Sequence, residues 1–415
     1  MEDLVEDAPE LERQVHTTEP LDTPDDEGGI SFELWRIIKA RVLTKLLTMH
    51  RTIRYGEFIG SKIKLPVDKT TPMELDILGQ HEDGLFILEL KVERSAERNA
   101  FSELFGYSNY IASMFALSGH KDIVNVLVAN LDNKITRHAF LYDLMISDRN
   151  IIVYTPHFTD DTIDSLRLVL HVPTDEDFQH FANQLLSHDA MSCVVCSFDD
   201  LADWIDSKED GGSLNEYTKE HLTAVSNYAA QLMEAEHLHG FCYVRKPWAE
   251  IPRHYRNSLV MCALNPFRAA GIERSNAITE QLAPEYRSTF FEFPEFGFDS
   301  RLTALAKRVI KDCLEHDTKS ELELPLWSAM VVSLLEVVTT HNFAFRPTGM
   351  LREAYVSQLN ALYAREARSG SAEDISILKI NEITNWLRAW QFMEMCGFTN
   401  PNDPDESNNK PDQSD

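Results

Sequence analysis

The stretch Met73–Glu93, which reads MELDILGQHEDGLFILELKVE, constrains the fold of this chain more than any other. Two runs that mix apolar and charged residues flank the dipeptide Asp83-Gly84. Such a dipeptide favours the two-residue turn of a β-hairpin, because both central residues of a type I′ turn need positive φ. The sequence therefore predicts an antiparallel hairpin, with Asp76 opposite Lys91 and Leu78 opposite Glu89.

Alternation of side chains along the two predicted strands separates charged from apolar residues. One face carries Glu74, Asp76, Glu89, Lys91 and Glu93, with Leu78 and Ile87 among them. The other face carries Leu75, Ile77, Phe86, Leu88, Leu90 and Val92. A pairing shifted by one residue would move the charges into the core, so the pattern specifies its own register.

The charged face holds the groups that bind a divalent metal ion beside a phosphodiester. A hard cation such as Mg²⁺ takes oxygen ligands, which the carboxylates of Asp76 and Glu89 and the carbonyl of Leu90 would supply. Such a cation polarises a phosphate and lowers the pKa of a bound water, and Lys91 would orient that water or stabilise charge on the phosphate. The same residues also fit a solvated hairpin face with ordinary cross-strand ion pairs.

Asp76 followed by Glu89-Leu90-Lys91 on the next strand resembles the motif of the PD-(D/E)XK nuclease superfamily. The resemblance covers residues 30–160 and implies an α/β (α+β) fold with a restriction-endonuclease-like αβββαβ core. The predicted elements follow that order: helix Phe32–Met49, strand Glu57–Leu65, hairpin Met73–Glu93, helix Ala96–Ser118, strand Asp122–Ala129, helix Arg137–Ile146 and strand Ile151–Tyr154.

The resemblance implies a Mg²⁺- or Mn²⁺-dependent nuclease, most often one that acts on DNA in bacterial or phage DNA processing or in anti-phage defence. Asp76 and Glu89 match the metal ligands and Lys91 the catalytic lysine, with Glu74 as a further acid nearby.

Many members add an acid from the first helix, where Glu33 is best placed. RecB-like members carry Gln-x-x-x-Tyr after the lysine strand; here Glu103 and Tyr107 have that spacing, with Glu in place of Gln. Double-strand cleavage would require two sites and hence a homodimer.

Charge is distributed unevenly along a chain whose net charge is −28. Residues 1–30 carry a net charge of −10 and residues 399–415 a net charge of −4, and both are predicted to be disordered acidic tails. Trp35–Lys69 has a net charge of +7, which fits either a phosphate backbone or a solvated helix face. The candidate nucleic-acid-binding residues there are Arg36, Lys39, Arg51, Arg54, Lys62 and Lys64. The acidic amino-terminal tail would compete with DNA for them.

A chain of 415 residues is long for one core, so we expect two domains. Residues 31–207 form the predicted nuclease-like domain, and residues 208–398 a mostly helical accessory domain that selects a substrate or a protein partner. The helices expected in the accessory domain are Tyr217–Leu238, Ser300–His316, Leu326–Thr340, Met350–Ala367 and Ile375–Cys396.

Other signals narrow the class of protein. The chain has no glycine-rich phosphate loop and no nucleophile elbow. Its six scattered cysteines indicate a reducing compartment, taken as the cytoplasm, and Cys193 and Cys196 fit a buried strand better than a zinc site. No run is long enough to cross a membrane.

An alternative to the enzyme is an inactive nuclease-fold scaffold that binds a protein or nucleic acid. The overall acidity favours this alternative, and the intact acid–acid–lysine set counts against it.

Overall fold

The computed structural model is a mixed α/β protein with two β-sheets. It describes residues 2–17, 34–66, 73–91, 99–115, 122–160, 162–182, 190–199, 216–247, 257–268, 272–287, 292–314, 317–327 and 340–369, with Glu97, Thr289, Met330, Ala389 and Phe392. The chain divides into two compact units. The first consists of Met1–Pro20 with Ile38–Ala182, and the second of Leu21–Ile37 with Asn183–Asp415.

The first unit is built on a six-stranded sheet whose strands are ordered β1-β2-β3-β4-β5-β6. The strands are β1 Glu57–Leu65, β2 Met73–His81, β3 Gly84–Leu90, β4 Ile123–Val128, β5 Ile151–Phe158 and β6 Leu166–Leu170. β3, β4 and β5 run parallel, and the other neighbours are antiparallel. All residues of β4 are buried, as expected for a central parallel strand with both faces covered.

Five helices accompany this sheet in the sequence. They are α1 Pro9–Thr17, α2 Leu34–Arg54, α3 Ala100–Ser113, α4 Lys134–Met145 and α5 Asp175–Ala182. α3 packs against β3 and β4, and α4 against β5. The order α2, β1, β2, β3, α3, β4 is the helix–strand–strand–strand–helix–strand order expected from the sequence.

The hairpin forms, but its predicted turn is displaced. The two loop residues are Glu82 and Asp83, because His81 pairs with Gly84 and Leu78 with Ile87. The positive φ falls at Gly84 (+143°), where a Cβ atom would lie 2.3 Å from the carbonyl oxygen of Asp122. The predicted pairing of Leu78 with Glu89 is therefore wrong by two residues. Because side chains alternate with period two, this shift leaves each on its expected face.

The amino-terminal segment differs from its predicted disorder. Residues 2–17 are described; Val5 forms a parallel bridge with Leu168 of β6, and the helix α1 follows. Val5 and Leu11 are buried. Disorder was predicted from the charge and composition of the segment. The burial of these two apolar side chains attaches it to the first unit. Residues 18–30 and the tail at 399–415 lie outside the described residues.

The sequence predicted a mostly helical accessory domain, and the second unit combines helices with a sheet that was not expected. It contains a five-stranded antiparallel sheet, ordered β10-β7-β9-β8-β11. Its strands are β7 Met191–Phe198, β8 Gly240–Pro247, β9 Asn257–Leu264, β10 Ser320–Glu323 and β11 Thr340–Thr348. β7 therefore belongs to this unit, although the predicted domain 31–207 would place it in the first.

Helices cover both faces of the second sheet. The helices of the second unit are α6 Glu216–Ala235, α7 Ile272–Thr279, α8 Pro284–Arg287, α9 Glu292–Cys313 and α10 Met350–Ser369. α6 and α9 contribute to one core cluster, and α10 to the other. Cys193 and Cys196 are buried in β7 as predicted, one in each cluster. The predicted boundary at 207/208 and most of the helices predicted at 326–340 and 375–396 fall outside the described residues.

Within the described residues, no helix has both the length and the apolar character needed to cross a membrane.

Candidate functional site

The acids and the lysine singled out in the sequence meet where β3 ends. The backbone N–H of Leu90 donates a hydrogen bond to Oδ2 of Asp76 at 3.0 Å, so this carboxylate takes the place of a backbone acceptor. The N–H of Lys91 donates instead to the carbonyl oxygen of Val128 at the end of β4. The first contact joins the end of β3 to β2 and the second joins it to β4. The backbone next to Glu89 is therefore held by both neighbouring strands.

Lys91 connects two acids from different elements. Its Nζ lies 2.8 Å from Oε1 of Glu89 and 2.5 Å from Oε2 of Glu103 on α3. Burial lowers the pKa of Lys91, but the hydrogen bonds to Glu103 and Glu89 outweigh burial and raise the pKa above its ordinary value. Lys91 therefore carries a proton throughout the neutral range and acts as a donor, not as a base.

Glu89 is buried, with 4 % of its side chain exposed. Burial raises the pKa of its carboxyl to about 7, against the hydrogen bond from Lys91, and the negative charge of Asp76 acts in the same direction as burial. Its second oxygen, Oε2, is buried and has no hydrogen-bond partner among the residues that the structure describes. A buried, unpaired carboxylate oxygen is costly, and it marks a position where a further donor or a cation would lower the free energy.

The set of donors fits a hard divalent cation only in part. Within the described residues, no three His, Cys, Asp or Glu side chains are grouped so that they could hold a metal ion. The carboxylates of Asp76 and Glu89 and the carbonyl of Leu90 would leave further positions to water, which is how Mg²⁺ is commonly bound in enzymes. Lys91 contacts Glu89 and Glu103, and Asp76 lies close enough to Glu89 for its negative charge to raise the pKa of Glu89.

Lys62 reaches the same acids from β1. Its Nζ lies 3.5 Å from Oδ1 of Asp76 and 3.5 Å from Oε1 of Glu74. The negative charge of Asp76 raises the pKa of Lys62. Lys62 has φ +55°, a left-handed conformation that costs a non-glycine residue about 1 kcal/mol. The sequence indicated Lys62 as a phosphate contact. Its contact with Asp76 could not be predicted, because it depends on how β1 pairs with β2.

Tyr107 and Glu103 lie one turn apart on α3. Tyr107 is buried, and burial followed by the negative charge of Glu89 raises the pKa of its hydroxyl. The hydroxyl therefore stays protonated near neutral pH. Glu33 lies outside the described residues.

Most of the candidate nucleic-acid-binding residues contact acids or aromatic rings within the chain. The contacts are Lys39 with Asp175 at 2.6 Å, Arg51 with Glu12 at 2.6 Å, Arg54 with Asp7 at 3.4 Å, and Arg36 with the ring of Trp35 at 5.7 Å. Lys64 is exposed on β1. Asp7 and Glu12 belong to the acidic amino-terminal segment. The sequence predicted competition for the whole set of basic residues, and the structure pairs this segment with Arg51 and Arg54.

Comparisons with known proteins add no family assignment, because a scan of protein-family models, a search of curated proteins and a search of solved structures each gave no match. The role of the site is therefore inferred from its own residues.

Proposed function

We propose that the first unit is a metal-dependent nuclease of the PD-(D/E)XK type that hydrolyses phosphodiester bonds, most readily those of DNA. One observation carries the proposal: the buried Glu89 has an oxygen without a partner, beside Asp76 and a protonated Lys91. The order helix–strand–strand–strand–helix–strand around this site supports a restriction-endonuclease-like core. The setting would be bacterial or phage DNA processing or anti-phage defence.

In this proposal Asp76, Glu89 and the carbonyl of Leu90 hold Mg²⁺ or Mn²⁺. The bound ion would supply a Lewis acid for the phosphate and a water of lowered pKa. Lys91 donates hydrogen bonds to the phosphate oxygens as negative charge develops on them, since its own proton is retained. Glu89 has to lose its proton before it can bind a cation, so the affinity of the metal-free protein for the cation should rise with pH up to about 7.

Cleavage assays on supercoiled plasmid and linear DNA, with Mg²⁺ or Mn²⁺, test this proposal. The wild type should cut, and the Asp76→Ala and Lys91→Ala variants should not. Asp83→Ala is the matched control, because Asp83 lies in the turn of the same hairpin and contacts His81. Cutting that persists in both the Asp76→Ala and Lys91→Ala variants would overturn the assignment.

A second candidate is an inactive scaffold of the same fold that binds a protein or nucleic acid. The pairing of Lys39, Arg51 and Arg54 with acids of the chain favours it, because such pairs reduce the positive charge offered to a phosphate backbone. Folded wild type that binds DNA or a protein partner, yet cuts nothing with either metal, would favour the scaffold over the nuclease.

A further inference from the structure

A cavity of about 410 Å³ lies beneath α3 in the first unit, and the proposed active site does not use it. It is lined by polar side chains and one ring, among them Phe105, Ser108, Asn109, Asn125, Arg149 and Asn150. Ser108 and Asn125 are buried, whereas Asn109 and Arg149 are exposed. The volume lies within the range of about 300–1,000 Å³ typical of small-molecule sites.

Asn125 is an unusual residue for the position it holds. It interrupts the apolar strand β4, IVNVLV, and is buried. Its Nδ2 donates to the carbonyl oxygen of Asn150 at 3.0 Å, but its Oδ1 is buried without a partner. Leaving a buried acceptor unpaired is unfavourable, because the group has lost its hydrogen bonds to water. A half-satisfied carboxamide that lines a cavity is therefore suited to a ligand that supplies a donor.

Arg149 and Phe105 form a flat surface at the cavity. The guanidinium carbon lies 4.5 Å from the centroid of the Phe105 ring, and Nε lies 3.4 Å from Oδ1 of Asp143. The Arg149 side chain is 48 % exposed. A half-exposed guanidinium on an aromatic ring provides a stacking surface for a nucleobase. Asparagine side chains present a donor and an acceptor side by side, which match the hydrogen-bonding edge of a base. None of the described residues lining the cavity is acidic.

We propose that this cavity binds a nucleobase, stacked on Arg149 and hydrogen-bonded by Asn125 and Asn109. Asn125 pairs with Ile87, and Glu89 pairs with Leu127, so Asn125 and Glu89 share a sheet face and lie about 7 Å apart along it. The base belongs either to a free nucleotide or to a single strand that passes the active site. The proposal stands without the nuclease activity, because the cavity shares no residue with the metal-binding set.

Calorimetric titration measures binding to the cavity under conditions in which the proposed active site cannot cleave. The full chain carrying Asp76→Ala, in buffer without divalent metal, is titrated with each of the four nucleoside monophosphates and with homopolymeric five-nucleotide single strands. Adding Arg149→Ala should weaken binding at least about tenfold. Arg137→Ala is the matched control: the Arg137 side chain is also 48 % exposed and also pairs with an aspartate, Asp177.

Each result gives a distinct answer. Monophosphate binding that Arg149→Ala weakens and Arg137→Ala leaves unchanged identifies a free-nucleotide pocket. The same pattern with single strands alone identifies a subsite for the nucleic acid. A folded Asn125→Leu variant should lose binding in either case. Absence of all binding, or equal binding by the Arg149→Ala and Arg137→Ala proteins, overturns the proposal, and neither result bears on cleavage by the wild type.

Discussion

The polar cluster around Asp299 in the second unit and the residues Glu89 and Asn125 in the first unit differ in how completely their oxygens are hydrogen-bonded. In the second unit, Ser192 donates to Asp299 at 2.5 Å, and the same hydroxyl accepts from Asn265 at 3.1 Å. Arg268 completes the group, with one nitrogen 3.1 Å from Asp299 and another 2.5 Å from Glu295. Asp299 thus has a donor for each carboxylate oxygen, and the network links β7 and α9.

In the first unit, Glu89 and Asn125 each leave one buried oxygen without a donor. The closed network of the second sheet stabilises the fold, because its desolvated groups regain their hydrogen bonds. The open groups of the first sheet reduce stability. Glu89 belongs to the proposed metal site and Asn125 to the proposed nucleobase cavity, so a ligand bound at each place would supply the missing partner.

The largest expected effect follows from removing the charge of the open carboxylate. Glu89→Gln should lower metal-dependent cleavage about 1,000-fold, or about 4 kcal/mol in the activation barrier, because a ligand charge is lost. Glu57→Gln is the control, since Glu57 is exposed on the same sheet and accepts from Gln80 at 2.9 Å. Equal rates for the Glu89→Gln variant and the wild type would remove Glu89 from the site.

Glu89→Gln should also stabilise the protein, by an amount that depends on pH. The folded-state pKa of Glu89, about 7, lies above the ordinary 4.5, so the native state binds more protons between these values. The free energy of unfolding of the wild type therefore falls as pH rises from about 4.5 to 7. Above pH 7, Glu89→Gln should unfold with a free energy up to about 3 kcal/mol higher than the wild type, and near pH 4.5 the difference should vanish.

Chemical denaturation at pH 5 and pH 8 measures this difference. Glu103→Gln is the control, because Glu103 binds the same Lys91 but is 40 % exposed at its side chain. A gain at pH 8 in the Glu103→Gln variant as large as that of Glu89→Gln would show that relief of general negative charge, and not burial of Glu89, is responsible.

These groups show where sequence reasoning succeeds and where it ends. The alternation in Met73–Glu93 predicts which side chains share a face, and that result survives a turn displaced by one residue because the period is two. The contact of Asp76 with the N–H of Leu90 depends on how β3 ends, which no local pattern encodes. The unpaired oxygens of Glu89 and Asn125 depend on the helix packed above them.

Apart from β7, the strand predicted to hold Cys193 and Cys196, the strands of the second sheet were not predicted from the sequence. β9, with the sequence NSLVMCAL, is buried at every residue. Strands covered on both faces lose the alternation of polar and apolar residues, so a short apolar run is not distinguishable from a buried helix by periodicity. By contrast, the strand Glu57–Leu65 was predicted with the bounds observed, since polar residues and a glycine mark it clearly.

A substitution in the closed network should lower the stability of the protein and leave cleavage unchanged, whereas Glu89→Gln should lower cleavage and raise stability. Asp299→Asn removes the charge that accepts from Ser192 and Arg268, and it should lower the free energy of unfolding by about 2 kcal/mol. Cleavage by the folded variant should equal that of the wild type. Thermal unfolding and the plasmid assay measure the two quantities on one sample, and a loss of cleavage in the folded protein would contradict the separation of roles.

The smallest expected effect concerns the acidic amino-terminal segment of the first unit. Asp7 and Glu12 hold Arg54 and Arg51, and the Arg51–Glu12 pair is about half exposed, so each pair contributes less than about 1 kcal/mol to stability. The double variant Asp7→Asn, Glu12→Gln frees both arginines for phosphate and should tighten DNA binding severalfold, with a steeper dependence on salt concentration. Fluorescence anisotropy over a salt series measures both. The double variant Glu2→Gln, Asp3→Asn is the matched control, because it removes two charges from exposed residues of the same segment; equal tightening in that variant would mean that the lost net charge, not the freed arginines, causes the effect.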